Sequence, residues 1–124
     1  ILDKIGFDKN KQRIDISSHP FTTTISKNDV RITTWYNQND FKESLLATIH
    51  EFGHSLYERN ISNNLTFMPV QTGVSLGIHE SQSRFWENMI ARDLPFIESN
   101  KNLLIKYLPF LRNYSTKDIY NYFN

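Results

Sequence analysis

The chain has 124 residues, 39% hydrophobic and 22% charged, enough for one domain with its own core. Fourteen Lys and Arg face thirteen Asp and Glu, so charge gives no case for a nucleic acid or an anionic membrane as partner. There is no cysteine, which excludes a disulfide framework and a thiolate metal site, and leaves His and carboxylate as the ligands a metal would need. No apolar run is long enough to span a bilayer, and the N-terminus has no signal-peptide pattern; the expectation is a cytoplasmic protein.

In chain order, residues 1–12 are too mixed to assign. "RIDIS" (13–17) alternates and predicts a short strand. "PFTTTIS" and "VRITTWY" are β-branched or aromatic runs flanking "KND", which predicts a hairpin and, with the first strand, a three-stranded sheet. At Asp40 the period changes. "DFKESLLATIHEFGHSLYERN" starts with an N-cap Asp40 and Glu43 three residues on, as in a capping box, and Asn60 is a plausible stop. Phe41, Leu45, Ile49, Phe52 and Leu56 recur at helical spacing and are expected to face the core. Residues 61–75 are polar, with Pro69 and Gly73, and read as a loop. A second helix is expected over 76–92, with Ile78, Phe85, Trp86, Met89 and Ile90 at helical spacing. Two more follow near 99–113 and 115–123, the last opened by Ser115 and Asp118.

The first helix carries His50, Glu51 and His54. Residues four apart share a helix face, so both imidazoles can aim at one point. This is the H-E-x-x-H arrangement: two metal ligands, with Glu51 placed as a general base toward water. The competing reading is an amphipathic helix that matches by chance. Two features favour a site: the histidines lie beside the apolar stripe rather than within it, and Gly53 permits another element to approach closely.

A zinc centre of this kind needs a third protein ligand and an open position. Spacing leaves several candidates. Glu80 stands 26 positions after His54 on the second helix, but it could equally form a surface pair with Arg84, and Glu58 and Glu87 are also present. His19 and His79 are read as structural or as supports behind the ligands. Glu58, one turn after His54, could orient a ligand or simply be solvated. Arg31 is a candidate substrate contact, or the partner of Asp29 in a buried pair.

"HEFGHSLYE" followed by "GIHESQSRFWENM" resembles the carboxypeptidase Taq family of zinc metallocarboxypeptidases. "HPF" (His19, Pro20, Phe21) and "DVRIT", the D-x-R-x-T of Asp29, Arg31 and Thr33, match as well, so four motifs occur in the family's order. The resemblance implies a mainly α fold: a helical zinc-peptidase core with a small sheet beside the cleft. It implies one Zn2+ per chain, replaceable by an ion such as Co2+, on His50, His54 and Glu80, with Glu51 as general base. It further implies a peptide substrate, release of C-terminal amino acids through a metal-activated water, and commonly a homodimer.

The family's downstream motifs I-R-x-x-A-D and G-x-x-Q-D-x-H-W do not occur, and the helical region that precedes the present Ile1 in the family is absent too. The expectation is therefore that residues 1–124 are the central part of a metallocarboxypeptidase catalytic domain. Two alternatives stand beside it: a catalytically incompetent zinc-binding fragment, and another H-E-x-x-H peptidase such as an oligopeptidase or aminopeptidase.

Overall fold

The computed structural model describes residues 1–37, 39–65 and 68–124. It is mainly helical with one small sheet. The strands are β1 (Gln12–Ile16), β2 (Thr22–Ser26) and β3 (Asp29–Thr34); the helices are α1 (Phe41–Arg59), α2 (Leu76–Arg84), α3 (Leu94–Tyr107) and α4 (Thr116–Phe123). β3 is the central strand, antiparallel to β2 across the expected hairpin and parallel to β1. The polar loop of residues 61–75 contains two short 3-10 turns, Asn63–Leu65 and Pro69–Gln71; Thr66 and Phe67 of that stretch lie outside the described residues. Among the described residues no helix is long and apolar enough to cross a membrane.

α1 is the axis on which everything else is placed. Asp40 caps it, accepting from the Lys42 and Glu43 backbone N–H groups at 3.0 and 3.2 Å. The capping box expected there does not close: the Glu43 carboxylate accepts instead from Asn37 Nδ2 at 3.1 Å. A complete capping box does open α4, between Ser115 and Asp118.

Two faces of α1 are buried in different ways. Leu46 and Ile49 join Ala91, Ile97, Leu104, Leu111, Ile119 and Phe123 in an apolar core formed with α3 and α4, against which Phe41 and Leu45 pack. Phe52 is fully buried between the rings of Phe7 and Trp86, while Leu56 is only partly buried. On the sheet side runs a polar stripe at helical spacing: Ser44, Thr48, Glu51 and Ser55. It meets the sheet through hydrogen-bonded pairs, Thr48 Oγ1 with Thr34 Oγ1 and Ser55 Oγ with Gln12 Nε2, both at 2.5 Å. Buried hydroxyls and amides need partners, and here each element supplies the other's.

Two helices differ from the sequence expectation. α3 begins at Leu94, five residues earlier than expected, because Asp93 caps it and Pro95 sits in its first turn, where a missing N–H costs nothing. It ends at Tyr107, since Pro109 cannot continue the ladder, and Pro109–Asn113 forms a 3-10 turn. α2 is shorter than expected as an α-helix. It runs on into a π-helical turn, Phe85–Ile90, closed by the Ala91 N–H on the Trp86 carbonyl at 2.9 Å. Of its apolar residues, Ile78, Phe85 and Met89 are exposed, whereas Ser83 is fully buried. α2 approaches α1 at Gly53: a Cβ there would lie 2.8 Å from Ser83 Cα and 3.0 Å from the Gln82 carbonyl oxygen. Only glycine permits that crossing.

Candidate metal centre

The close crossing brings α2's polar face onto the histidines of α1. His50, His54 and Glu80 each offer one donor atom, and the three atoms lie within 4.8 Å of one another, the one such group among the described residues. Glu80 Oε2 stands 3.3 Å from His54 Nε2 and 3.6 Å from His50 Nε2. These separations are long for hydrogen bonds. They match the edge of a tetrahedron with metal–ligand bonds of 2.0–2.1 Å, which is about 3.3 Å. The donor set, two imidazole nitrogens and one carboxylate oxygen, therefore fits a divalent ion.

Each imidazole of this group is held from behind. His50 Nδ1 lies 2.8 Å from Glu87 Oε2; that bond places a proton on Nδ1 and turns the Nε2 lone pair toward the centre. His54 stacks on His79 with ring centroids 4.3 Å apart and planes at 16°, and His79 Nε2 in turn pairs with Glu58 Oε1 at 2.8 Å. Burial, then the neighbouring His79 and His50, push the His54 pKa from 6.5 down to about 4, with a weaker opposing pull from Glu80 and the His79 backbone. The imidazole is thus neutral at physiological pH, the form that binds a metal. Its Nδ1 is buried and has no hydrogen-bond partner among the described residues.

Glu80 divides its two oxygens. Oε2 faces the imidazoles, and Oε1 accepts from Arg84 Nε at 2.9 Å. The pair with Arg84 weighed from the sequence is therefore present on Oε1, and it leaves Oε2 facing the imidazoles. Burial opposes the Glu80 charge, but the Arg84 bond, both imidazoles and Ser83 outweigh it and hold its pKa below the usual carboxylate value.

Glu51 points from the same helix into the seam under the sheet. It is buried, and its Oε2 lies 2.7 Å from the Thr22 hydroxyl, which also reaches the Glu51 carbonyl at 3.0 Å. The two upstream motifs act together to fix Thr22. The Thr33 hydroxyl accepts from the Phe21 N–H at 2.9 Å and lies 3.0 Å from the His19 carbonyl, with Ser17 Oγ at 2.8 Å. One threonine of D-x-R-x-T therefore clamps the HPF turn that leads into β2. His19 itself is exposed and contributes its carbonyl rather than its ring.

A cleft of about 470 Å³ opens over this side, lined by Pro20, His50, Glu51, Arg84, Glu87 and Arg92 among others. Arg31 is not among its lining residues. It makes the pair with Asp29, bidentate at 2.9 Å for both bonds, but on the exposed face of the sheet rather than buried. Sequence reasoning named Glu87 only as a further candidate for the third ligand; it stands behind His50, at Nδ1. Glu80, Arg84 and Glu87 stand at i, i+4 and i+7, but that spacing does not say which of them meets a histidine.

Two imidazoles and a carboxylate from crossing helices, with a buried glutamate on the helix of the imidazoles, form a donor set that could hold a metal, in the H-E-x-x-H pattern of metallopeptidases. The chain belongs to the family described as Carboxypeptidase Taq (M32) metallopeptidase, which it matches over residues 1–124. That membership implies a divalent metal. The chain is 52% identical over 125 residues to Thermostable carboxypeptidase 1 of Pyrococcus furiosus, covering 100% of this chain and 25% of that protein. It is 46% identical over 95 residues to Carboxypeptidase 1 of Bacillus subtilis, covering 77% and 19%. Among solved structures it superposes on a Pyrococcus furiosus carboxypeptidase, apo-Mg, with a TM-score of 0.96 at 52% identity, covering 99% of this chain and 25% of that one. Trypanosoma cruzi metallocarboxypeptidase 1 gives a TM-score of 0.87 at 39% identity, covering 96% and 24%. The chain spans about a quarter of the length of the Pyrococcus furiosus relative.

Proposed function

We propose that this chain carries the metal centre and general base of a zinc-dependent metallocarboxypeptidase that releases C-terminal amino acids from peptides. The observation that carries this reading is that Glu80 Oε2 of α2 lies 3.3 and 3.6 Å from the Nε2 atoms of His54 and His50, on the helix that also carries the buried Glu51. His50, His54 and Glu80 would hold one Zn2+, for which two nitrogens and one oxygen are a suitable donor set; Co2+ would fit the same set. When bound, such an ion polarises the scissile carbonyl and acidifies water.

The chain's own residues do the rest. Glu87 fixes the tautomer of His50. The His79 ring covers His54, and Glu58 holds His79 in place. Thr22 ties Glu51 Oε2 to the sheet, so that Oε1 is left to take a proton from the attacking water and return it to the leaving amine. Glu51 cannot fold back to compete for the metal while Thr22 and the helix hold it.

The test is release of the C-terminal amino acid from an N-blocked dipeptide, by the protein carrying this region at the length of its relatives and by residues 1–124 alone. An aminopeptidase needs the free amine and would not act. Glu51→Gln is expected to retain its metal and lose hydrolysis by a factor of about 10² or more. Near-wild-type hydrolysis by this variant would remove Glu51 as the base. Hydrolysis by the longer protein with none by the shorter chain would support a metal-binding but catalytically incompetent piece.

A further inference from the structure

We propose that Arg84 is a positioning residue that restricts Glu80 to a single metal-facing oxygen and so keeps a fourth coordination position free. This rests on the reading of His50, His54 and Glu80 as the metal ligands.

Glu80 is the least confined of the three donors. Its side chain is 46% exposed, against 17% for His50 and 12% for His54. A carboxylate so placed can rotate, and it can offer a metal both of its oxygens. The second oxygen would then occupy the position a catalytic centre leaves open. Oε1, however, is already held by Arg84 Nε at 2.9 Å, while Oε2 alone faces the two imidazoles. The two helix residues are four apart, so the backbone itself presents the guanidinium to the outer oxygen.

A surface pair would end there. The guanidinium also places NH1 3.5 Å from Glu87 Oε2, the same oxygen that accepts the hydrogen bond of His50 Nδ1 at 2.8 Å. A single planar fork therefore touches the ligand carboxylate and the carboxylate that orients the neighbouring ligand. Lysine has no such fork and offers one point charge. Arg92 reaches Glu87 from the far side, with NH2 3.7 Å from Oε1, and its NH1 donates to the Phe123 carbonyl. Glu87 thus keeps a cationic partner if Arg84 is removed, and the loss falls chiefly on Glu80.

Co2+ reports coordination number directly, because its visible bands are intense in four-coordinate sites and weak in sites of higher number. The metal-free protein is loaded with one equivalent of Co2+ as the wild type and as Arg84→Ala, Arg84→Met and Arg84→Lys. Arg84 is 58% exposed, so folding is expected to persist, and the Met variant keeps the side chain's length without its donors. The wild type is expected to show the intense four-coordinate spectrum. Ala and Met are expected to lose most of that intensity as Glu80 closes onto the ion with both oxygens, and Lys to recover it by holding Oε1. Identical spectra for wild type, Ala and Met, with Co2+ bound in all three, would overturn the role of Arg84 and leave the metal centre standing. A wild type that binds no Co2+ would overturn the metal centre and this inference with it.

Discussion

α1 and α2 carry the site together but are built on opposite logic. α1 buries its apolar residues and hides a polar stripe under the sheet, so both of its inner faces are satisfied. α2 and the π-helical turn that continues it leave Leu76, Ile78, Phe85 and Met89 exposed and present Glu80, Arg84 and Glu87 to α1, with a fully buried serine, Ser83, at the crossing. A helix held by apolar burial can be read from its periodicity. A helix held by a glycine contact and by charged groups cannot, because hydrophobic spacing there does not report which face is inside.

The contrast can be tested by substitution. Phe52→Ala should cost about 3–5 kcal/mol, the usual loss for a buried ring, while Met89→Ala on the π-helical turn that continues α2 should stay within about 0.5 kcal/mol. Denaturant unfolding of both variants checks this, and equal losses would erase the distinction between the helices. Gly53→Ala should cost about 1–3 kcal/mol by forcing α2 away from α1. It should also weaken metal binding, since Glu80 would move with α2, and unchanged metal affinity would show that the crossing does not set the site.

The smallest expected effect lies away from the site, where the Tyr122 hydroxyl donates to the α1 cap Asp40 at 2.8 Å. Burial first, then the bond and charge of Asp40, raise the Tyr122 pKa from 10.0 to about 12. The folded state favours the protonated phenol, so this stabilisation is whole below pH 10 and is lost as pH rises from 10 to about 12. The Asp40 carboxyl is lowered from 3.8, chiefly by the Tyr122 bond, so its share is present above pH 3.8 and lost as pH falls below it. Tyr122→Phe should lower Tm slightly at pH 7, and the difference should vanish toward pH 12. A difference that persists there would rule out this bond as its cause.

The sequence was most informative where one residue does one job. Asp40, the spacing of His50 and His54, and the hairpin around Lys27 and Asn28 are local signals, and the structure follows them. α3 starts at Leu94 rather than near 99, on two signals that are also local, its cap Asp93 and Pro95 in the first turn. The polar seam was out of reach of local signals. Glu51, Ser55, Thr48 and Ser44 look like an exposed stripe until β2 and β3 are laid over them, and the Thr22 bond to Glu51 spans 29 positions. The same holds for Glu87, whose partner His50 is 37 positions away. Its role follows from α2 crossing α1 at Gly53, and nothing in the spacing of α2 alone announces that.

The central claim is that His50, His54 and Glu80 hold one divalent ion. It is tested most directly by metal content after dialysis against dilute Zn2+, measured on the wild type, His54→Ala and Glu80→Ala, with circular dichroism to confirm that each is folded. The account expects about one ion per wild-type chain, with loss of nearly all of it in His54→Ala and a large loss in Glu80→Ala. Equal zinc in all three folded proteins would contradict it and would place any bound metal somewhere other than this crossing of α1 and α2.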